Sequence, residues 1–561
     1  MSGAFTSVVA STATLGARLF QSATDDKPAM RRLWIGALAL NLGLVAPLWW
    51  RHGDILAHLI AWEAWLVMPL MLLLPRGKSR LGLGVGLASW LILATMINLG
   101  DAATHTAFGR PLNLYLDTPL LGSVYDLLVG NVGQAWAICA MLAGALLLLL
   151  LALGVIRLLL PGEGYPLIGK AKVAAFSMLL VACLGALLTL GGKPITESAT
   201  LPAVNASRVQ WDQLVTTHQA KQAFTQTLEA SPIAQRPLDG LAGRRVLMTF
   251  IESYGVTVLE DERYRPSVAP TLDEIEQRLA ERDLGVVSGL LNSPIRGGQS
   301  WLAHATALSG YTIDNQLWYQ LLLDSEATTL VDDFRATGQR TLVVMPAITK
   351  PWPEGAAYGF DELVVAKDMP YAGPSLNWVT MPDQYTLDYT QRQLLDESPV
   401  FAQLALISSH APWTPILPVL DDWSMVGDGA VFAPWEDAGD PPEVLWQDRE
   451  RIRDHYAWSV DYSIKTVGRW AERVADDNTL LIVLGDHQPA PLITGDDASG
   501  AVPVHIISGD PELLAPFRAR GFVDGMWPAS ERDAPVAELR QLRRWLHADF
   551  ASDNPSSRTD P

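Results

Sequence analysis

Cysteine is nearly absent, with two residues, Cys139 and Cys183, in 561. Both fall inside long apolar runs of the first third, so the rest of the chain has neither a disulfide nor a thiolate metal site. Zinc-finger and cysteine-nucleophile chemistries are excluded there. Positive charge is also scarce: 41 Lys and Arg stand against 60 Asp and Glu, a net charge of −19. That balance argues against nucleic acid as a partner and supplies no basic patch for anionic lipid. Charges of either sign are thin up to about residue 191, where Leu, Ala, Gly and Trp dominate, and they return beyond it together with proline.

What fills the first third is a set of five apolar runs, at 33–50, 55–75, 81–99, 134–158 and 173–191. Each is near the roughly 20 residues that cross a bilayer as a helix. Arg31 and Arg32 precede the first run, and Arg76, Lys78 and Arg80 fill the loop after the second. Arg157, Lys170 and Lys172 flank the loop after the fourth. Positive charges mark the cytoplasmic side, so five crossings are expected to leave everything after residue 192 outside a bacterial cytoplasmic membrane. Arg51 alone falls on the other side. Glu63 lies inside the second run, where a carboxylate is costly enough to suggest either a role or a hydrogen-bonded structural group. The stretch 108–126 is amphipathic and reads as an elbow along the outer membrane face.

The remaining chain divides into a linker with one helix near 207–229 (residues 192–243), an α/β domain (244–550) and a disordered tail (551–561). Unbroken apolar runs of strand length occur at 246–251, 341–345, 402–407, 480–484 and 502–507, separated by helical segments that include 271–282, 328–337 and 449–475. This alternation predicts a mostly parallel central sheet covered by helices on both faces. Ligands in such sheets bind beyond the carboxyl ends of the strands. Three polar stretches sit there: Phe250-Ile251-Glu252-Ser253, Ser408-Ser409-His410-Ala411-Pro412 and Leu484-Gly485-Asp486-His487. A fourth, Gly297-Gly298-Gln299-Ser300-Trp301, places a hydroxyl at the start of a helix, where N–H groups and dipole favour an alkoxide or a phosphate. An ordinary helix cap accounts for Ser300 equally well. Two carboxylates, two imidazoles and a hydroxyl suffice for one divalent metal and an activated nucleophile. The donor set suits manganese, magnesium or zinc.

Taken jointly, these stretches resemble the membrane-anchored, sulfatase-like branch of the alkaline phosphatase superfamily: lipoteichoic acid synthases, phosphoglycerol transferases and phosphoethanolamine transferases. Five spans, an elbow at Phe108-Gly109-Arg110-Pro111-Leu112-Asn113 and a following α/β domain resemble the architecture of the synthases. The resemblance implies Glu252, Ser300, Asp486 and His487 as metal ligands, Ser300 as nucleophile and His410 as a catalytic contact to phosphate. About fifty residues separate Glu252 from Ser300, and the Asp-His pair follows close to 190 residues later. Lys350, Trp352, Trp301, His304 and His505 are the implied substrate contacts, His304 and His505 having packing roles as alternatives.

The chain also departs from this pattern. Ser stands where the branch usually has Thr, and Glu354 stands where the synthases carry an Arg for glycerol phosphate. The sequence Ser300-Trp301-Leu302-Ala303 lacks the motif that formylglycine formation needs. The implied reaction moves a phospholipid headgroup phosphate through Ser300 to a glycan or lipid acceptor. A hydrolase using the same site and a silent membrane scaffold are the alternatives. Among several acids between His410 and residue 449, Trp413, Trp423, Trp435 and Trp446 read either as a cover for the site, stacking on a sugar, or as a surface insertion.

Overall fold

The computed structural model describes residues 27–160, 169–230, 232–395, 399–532 and 535–552. Most of the tail expected at 551–561 lies outside the described residues. The chain forms two compact units, one comprising residues up to Thr106 together with Arg110–Gln219, the other Ala107–Gly109 together with Ala220 onward.

The first unit contains helices α1 (Lys27–His52), α2 (Trp62–Leu73), most of α3 (Lys78–Phe108), α4 (Leu121–Val132), α5 (Gln134–Leu159), α6 (Gly169–Leu190) and the beginning of α7 (Pro202–Ala230). Four of these, α1, α3, α5 and α6, are long and apolar enough to cross a membrane. The second expected span differs. Its helix has 12 residues, about 18 Å long against a hydrocarbon core of about 30 Å. The cause is local. Ile60–Ala61 is extended and pairs in parallel with Ala199–Thr200. The Asn41 side chain holds that segment, accepting from Ala61 N at 2.8 Å and donating to Leu59 O at 2.9 Å. Glu63 is buried and accepts from Ala203 N (2.9 Å) and Val204 N (3.1 Å). It therefore supplies the cap that the first turn of α7 would otherwise lack. In the elbow, Asn113 caps a short turn, Leu114–Asp117, and Arg110 pairs with Asp117 at 2.6 Å.

The second unit is built on one nine-stranded sheet. Its strands are β1 (Arg245–Ile251), β2 (Gly285–Asn292), β3 (Arg340–Met345), β4 (Glu362–Val365), β5 (Val400–Leu406), β6 (Thr479–Gly485), β7 (Ala501–Ser508), β8 (Val523–Asp524) and β9 (Ala537–Glu538). The order is β8-β2-β7-β6-β1-β5-β3-β4, with β9 added beside β2. The sheet is mixed. The block β6-β1-β5-β3-β4 is parallel, whereas β7 runs antiparallel to both β6 and β2.

Side chains alternate across the sheet. Leu247 and Ile251 of β1 join one apolar core, and Val246, Met248 and Phe250 join the other. Both faces of the strand are covered, which is why its sequence shows no polar alternation. Helices α8 (Arg265–Ala280) and α12 (Arg449–Val474) pack on the first face. Helices α9 (Ser300–Ser309), α10 (Gln316–Leu323), α11 (Leu330–Ala336) and α13 (Gln541–Phe550) pack on the second.

Candidate active site

Strand β1 lies between β5 and β6, all three parallel, with Ile251 paired to Leu406 on one side and Gly485 on the other. Their carboxyl ends therefore emerge together, and the residues that follow, Glu252, His410 and Asp486-His487, share one end of the sheet. The approach is close. A Cβ on Gly485 would sit 1.9 Å from Tyr254 O, so this position admits only glycine without displacing the Glu252 turn. Ser253 turns the chain there with φ +56°, an uncommon conformation for a non-glycine residue. Its N–H is given to Asp486 Oδ1 (2.8 Å) and its hydroxyl to Glu252 Oε1 (2.9 Å).

Ser300 opens α9 after two unusual backbone positions, Gly298 at φ +143° and Gln299 at φ +66°. The preceding loop is tied to the extension of β6, with Gly297 N donating to Gln488 O at 2.8 Å. Ser300 Oγ thereby lies 2.8 Å from Glu252 Oε2 and 3.3 Å from His487 Nε2. His487 Nε2 is 3.3 Å from Glu252 Oε1. Glu252, Asp486 and His487 are all buried and offer ligand atoms within 4.8 Å of one another. Asp486 Oδ1 also accepts from His487 N at 2.6 Å.

The electrostatics of this cluster call for added positive charge. Burial alone would raise Glu252, but the charge and hydrogen bond of His487, with help from His410, hold it well below the usual carboxylate range. Burial and the neighbouring Glu252 carboxylate push Asp486 up. Burial would lower His487, yet Asp486 and Glu252 raise it to about 9. Two buried carboxylates thus hold a proton that a divalent cation would replace. His487 Nδ1 lies 2.9 Å from Gln488 O and gives its hydrogen there, so a divalent cation that displaced the second ring proton would find Nε2 facing Ser300 and Glu252. This donor set fits a hard or borderline divalent ion.

The other sequence-derived residues are placed as follows. His410 is exposed, on a loop whose Ser409 hydroxyl donates to Glu252 O at 2.6 Å. Its Nδ1 is 2.5 Å from Ala411 O, and its ring is 6.1 Å from that of Trp378. Trp301 is partly exposed beside Ser300 and gives its indole N–H to Gln316 at 3.0 Å. His304 is buried against Phe250, with ring centroids 4.2 Å apart and no hydrogen-bond partner on either nitrogen among the described residues. Burial lowers it to about 4, so it is a neutral imidazole.

His505 lies within β7, and both its nitrogens are engaged. Nε2 is 3.0 Å from Tyr254 Oη, and Nδ1 is 2.7 Å from Ser288 Oγ. Ser288 gives its own proton to Gly525 O at 2.6 Å, which fixes the imidazole as a donor through Nδ1 and an acceptor through Nε2. Neither nitrogen is left for a substrate. Trp352 packs over Gly355 in the second core, Glu354 is half-buried, and Lys350 is exposed.

Three contributors went unnoticed in the sequence: Ser253, Ser409 and Trp378. The serines stand inside quoted motifs and carry a signal by position. Trp378 is remote in sequence and carries none. The tryptophans of 413–447 do not form a loose insertion. Trp413 and Trp423 are buried, Trp435 packs on the core, and Trp446 stacks on Trp413 at 5.8 Å.

Comparison with known proteins adds a family match: the sulfatase model fits residues 304–505. The matched segment includes His410, Asp486 and His487, and Glu252 and Ser300 precede it. Among solved structures, the chain is similar to lipoteichoic acid synthase LtaP from Listeria monocytogenes (14% identity, TM-score 0.31, covering 47% of this chain and 66% of that one). It is similar to phosphoglycerol transferase GacH from Streptococcus pyogenes in complex with sn-glycerol-1-phosphate (14%, TM-score 0.37, 60% and 81%). It is also similar to lipooligosaccharide phosphoethanolamine transferase A from Neisseria meningitidis (12%, TM-score 0.42, 92% and 94%). No curated protein matches.

Proposed function

We propose that this chain is a metal-dependent phosphotransferase of a bacterial inner membrane. It moves a phosphoglycerol or phosphoethanolamine headgroup from a phospholipid to an extracytoplasmic glycan or lipid. The observation that carries the reading is the meeting of Ser300 Oγ with Glu252 (2.8 Å) and His487 (3.3 Å) at the carboxyl ends of β1 and β6. Glu252, Asp486, His487 and Ser300 would hold the ion, for which manganese is the first candidate. When bound it lowers the hydroxyl pKa and neutralises phosphoryl charge.

The residues supply the rest. Ser300 gives its proton to solvent, and Oγ attacks the headgroup phosphorus. The Oγ–P bond forms as the bond from phosphorus to the glyceride oxygen breaks, and diacylglycerol leaves with a proton. His410, exposed at the rim, contacts the phosphoryl oxygens and shuttles the proton. An acceptor hydroxyl then displaces Ser300 and regenerates its hydroxyl. With water as the acceptor, the same steps make a hydrolase.

Intact-protein mass after incubation with manganese and mixed phospholipids tests the proposal. A headgroup-phosphate adduct that is absent from Ser300→Ala is expected. Full turnover by Ser300→Ala would overturn it, and headgroup released free rather than on an acceptor would replace transfer by hydrolysis.

A further inference from the structure

At the far end of α9 from Ser300 lies a separate cavity of about 520 Å³. A ten-residue helix is about 15 Å long, so the cavity is distinct from the nucleophile's surroundings. One side is an aromatic wall in which Phe224 stacks on Trp318 (5.2 Å, 20°) and meets Tyr311 edge-on (6.3 Å, 85°). The other side carries Arg540 and Arg544. Neither arginine has an ion-pair partner among the described residues, in a chain with 60 acidic groups to 41 basic ones. Their helix is firmly seated, however. Arg543, between them, is fully buried and pairs with Asp333 at 2.8 Å, and His547 reaches the same carboxylate at 2.7 Å. Helix α13 and the residue that precedes it thus use one cation, Arg543, for anchorage and hold two others, Arg540 and Arg544, at the cavity.

We propose that this cavity is a second, non-catalytic binding site for a phosphorylated sugar. Two guanidinium groups offer the planar, bidentate donors that a phosphate takes, and the aromatic wall offers a face for a pyranose ring. The volume lies within the range of small-ligand pockets. A neutral sugar leaves both arginines unanswered, and inorganic phosphate leaves the wall bare, so the ligand carries both a ring and an anion. Identification of this ligand as part of the acceptor or product glycan rests on the transferase reading. The binding itself does not.

The test uses the full chain in detergent, carrying Ser300→Ala and treated with chelator so that the catalytic site takes no phosphate. Calorimetry with glucose 1-phosphate should show saturable binding, at least tenfold tighter than for glucose or inorganic phosphate. Arg540→Gln with Arg544→Gln should weaken it tenfold or more, and the paired Arg→Lys changes should keep most of it. Equal binding of glucose, or less than a twofold loss in the glutamine pair, overturns the proposal. With Ser300 intact, the glutamine pair should release diacylglycerol from a phospholipid donor at the unmodified rate. Loss of that activity would overturn the non-catalytic assignment. If the unmodified chain itself fails to turn over donor, the transferase reading fails and the pocket is judged on binding alone.

Discussion

The buried histidines differ in how their ring nitrogens are engaged. His487 keeps Nε2 turned to Ser300 and Glu252, whereas His505 has both nitrogens engaged inside the sheet. Burial lowers His505 to about 3, far below the value near 6.5 of an unfolded chain. The unfolded state therefore binds a proton that the folded state refuses, and stability falls as pH drops from about 6.5 toward the folded value. Over the two pH units below 6.5 this one group should cost about 2 kcal/mol. His505→Gln retains hydrogen-bonding atoms without the titration. It should flatten the decline of thermal unfolding temperature between pH 6.5 and 4.5, and an unchanged slope would sink the assignment. Much of the candidate site was legible at this scale, because Glu252, Asp486 and His487 stand directly after apolar strand-like runs. The role of His505 was not: a histidine within a strand shows its partners only when Tyr254 and Ser288 are brought to it from other segments.

Among elements, the five apolar runs at 246–251, 341–345, 402–407, 480–484 and 502–507 coincide with β1, β3, β5, β6 and β7. The helices expected at 271–282, 328–337 and 449–475 appear at Arg265–Ala280, Leu330–Ala336 and Arg449–Val474. Strand β2 was missed because Ser288 and Gly289 interrupt its apolar run. Gly289 is needed there, since a Cβ would lie 2.7 Å from the Phe522 ring. The reversed direction of β7 was also illegible, because apolar periodicity carries no sense of strand direction. The meeting of β1 and β6 yields its own prediction. Gly485→Ala puts a methyl against Tyr254 O, where the gap is 1.9 Å, and forces the Glu252 turn away from Asp486-His487. Loss of such support around metal ligands typically costs roughly 10- to 100-fold in affinity. Metal titration of the folded variant should show a loss of that order, and wild-type affinity would count against the packing argument.

For the whole molecule, the open matter is which way the membrane helices run. Helix α2 is too short to cross alone, at 12 residues, yet the basic clusters Arg31-Arg32 and Arg76-Lys78-Arg80 flank the pair α1 and α2. If α1 crosses and α2 does not, the two clusters face opposite sides, against the bias of positive loops toward the cytoplasm. The extended segment ahead of α2 resolves the conflict. Leu59 and Ala61 bond to Asn41 of α1, and Ile60–Ala61 pairs with Ala199–Thr200. Its backbone groups are thus satisfied within protein, the condition under which non-helical chain is tolerated at membrane depth. We therefore expect five crossings, the second made by α2 and this segment together, with the sheet-bearing unit outside. Cysteine labelling can decide it, because Cys139 and Cys183 both lie in apolar helices. An impermeant maleimide applied to intact spheroplasts should modify Glu443→Cys at once and Lys78→Cys only after permeabilisation. Labelling of Lys78→Cys in intact spheroplasts, with Glu443→Cys protected, would place the sheet-bearing unit in the cytoplasm. That result would remove extracytoplasmic glycans and lipids as acceptors, whatever the chemistry at Ser300.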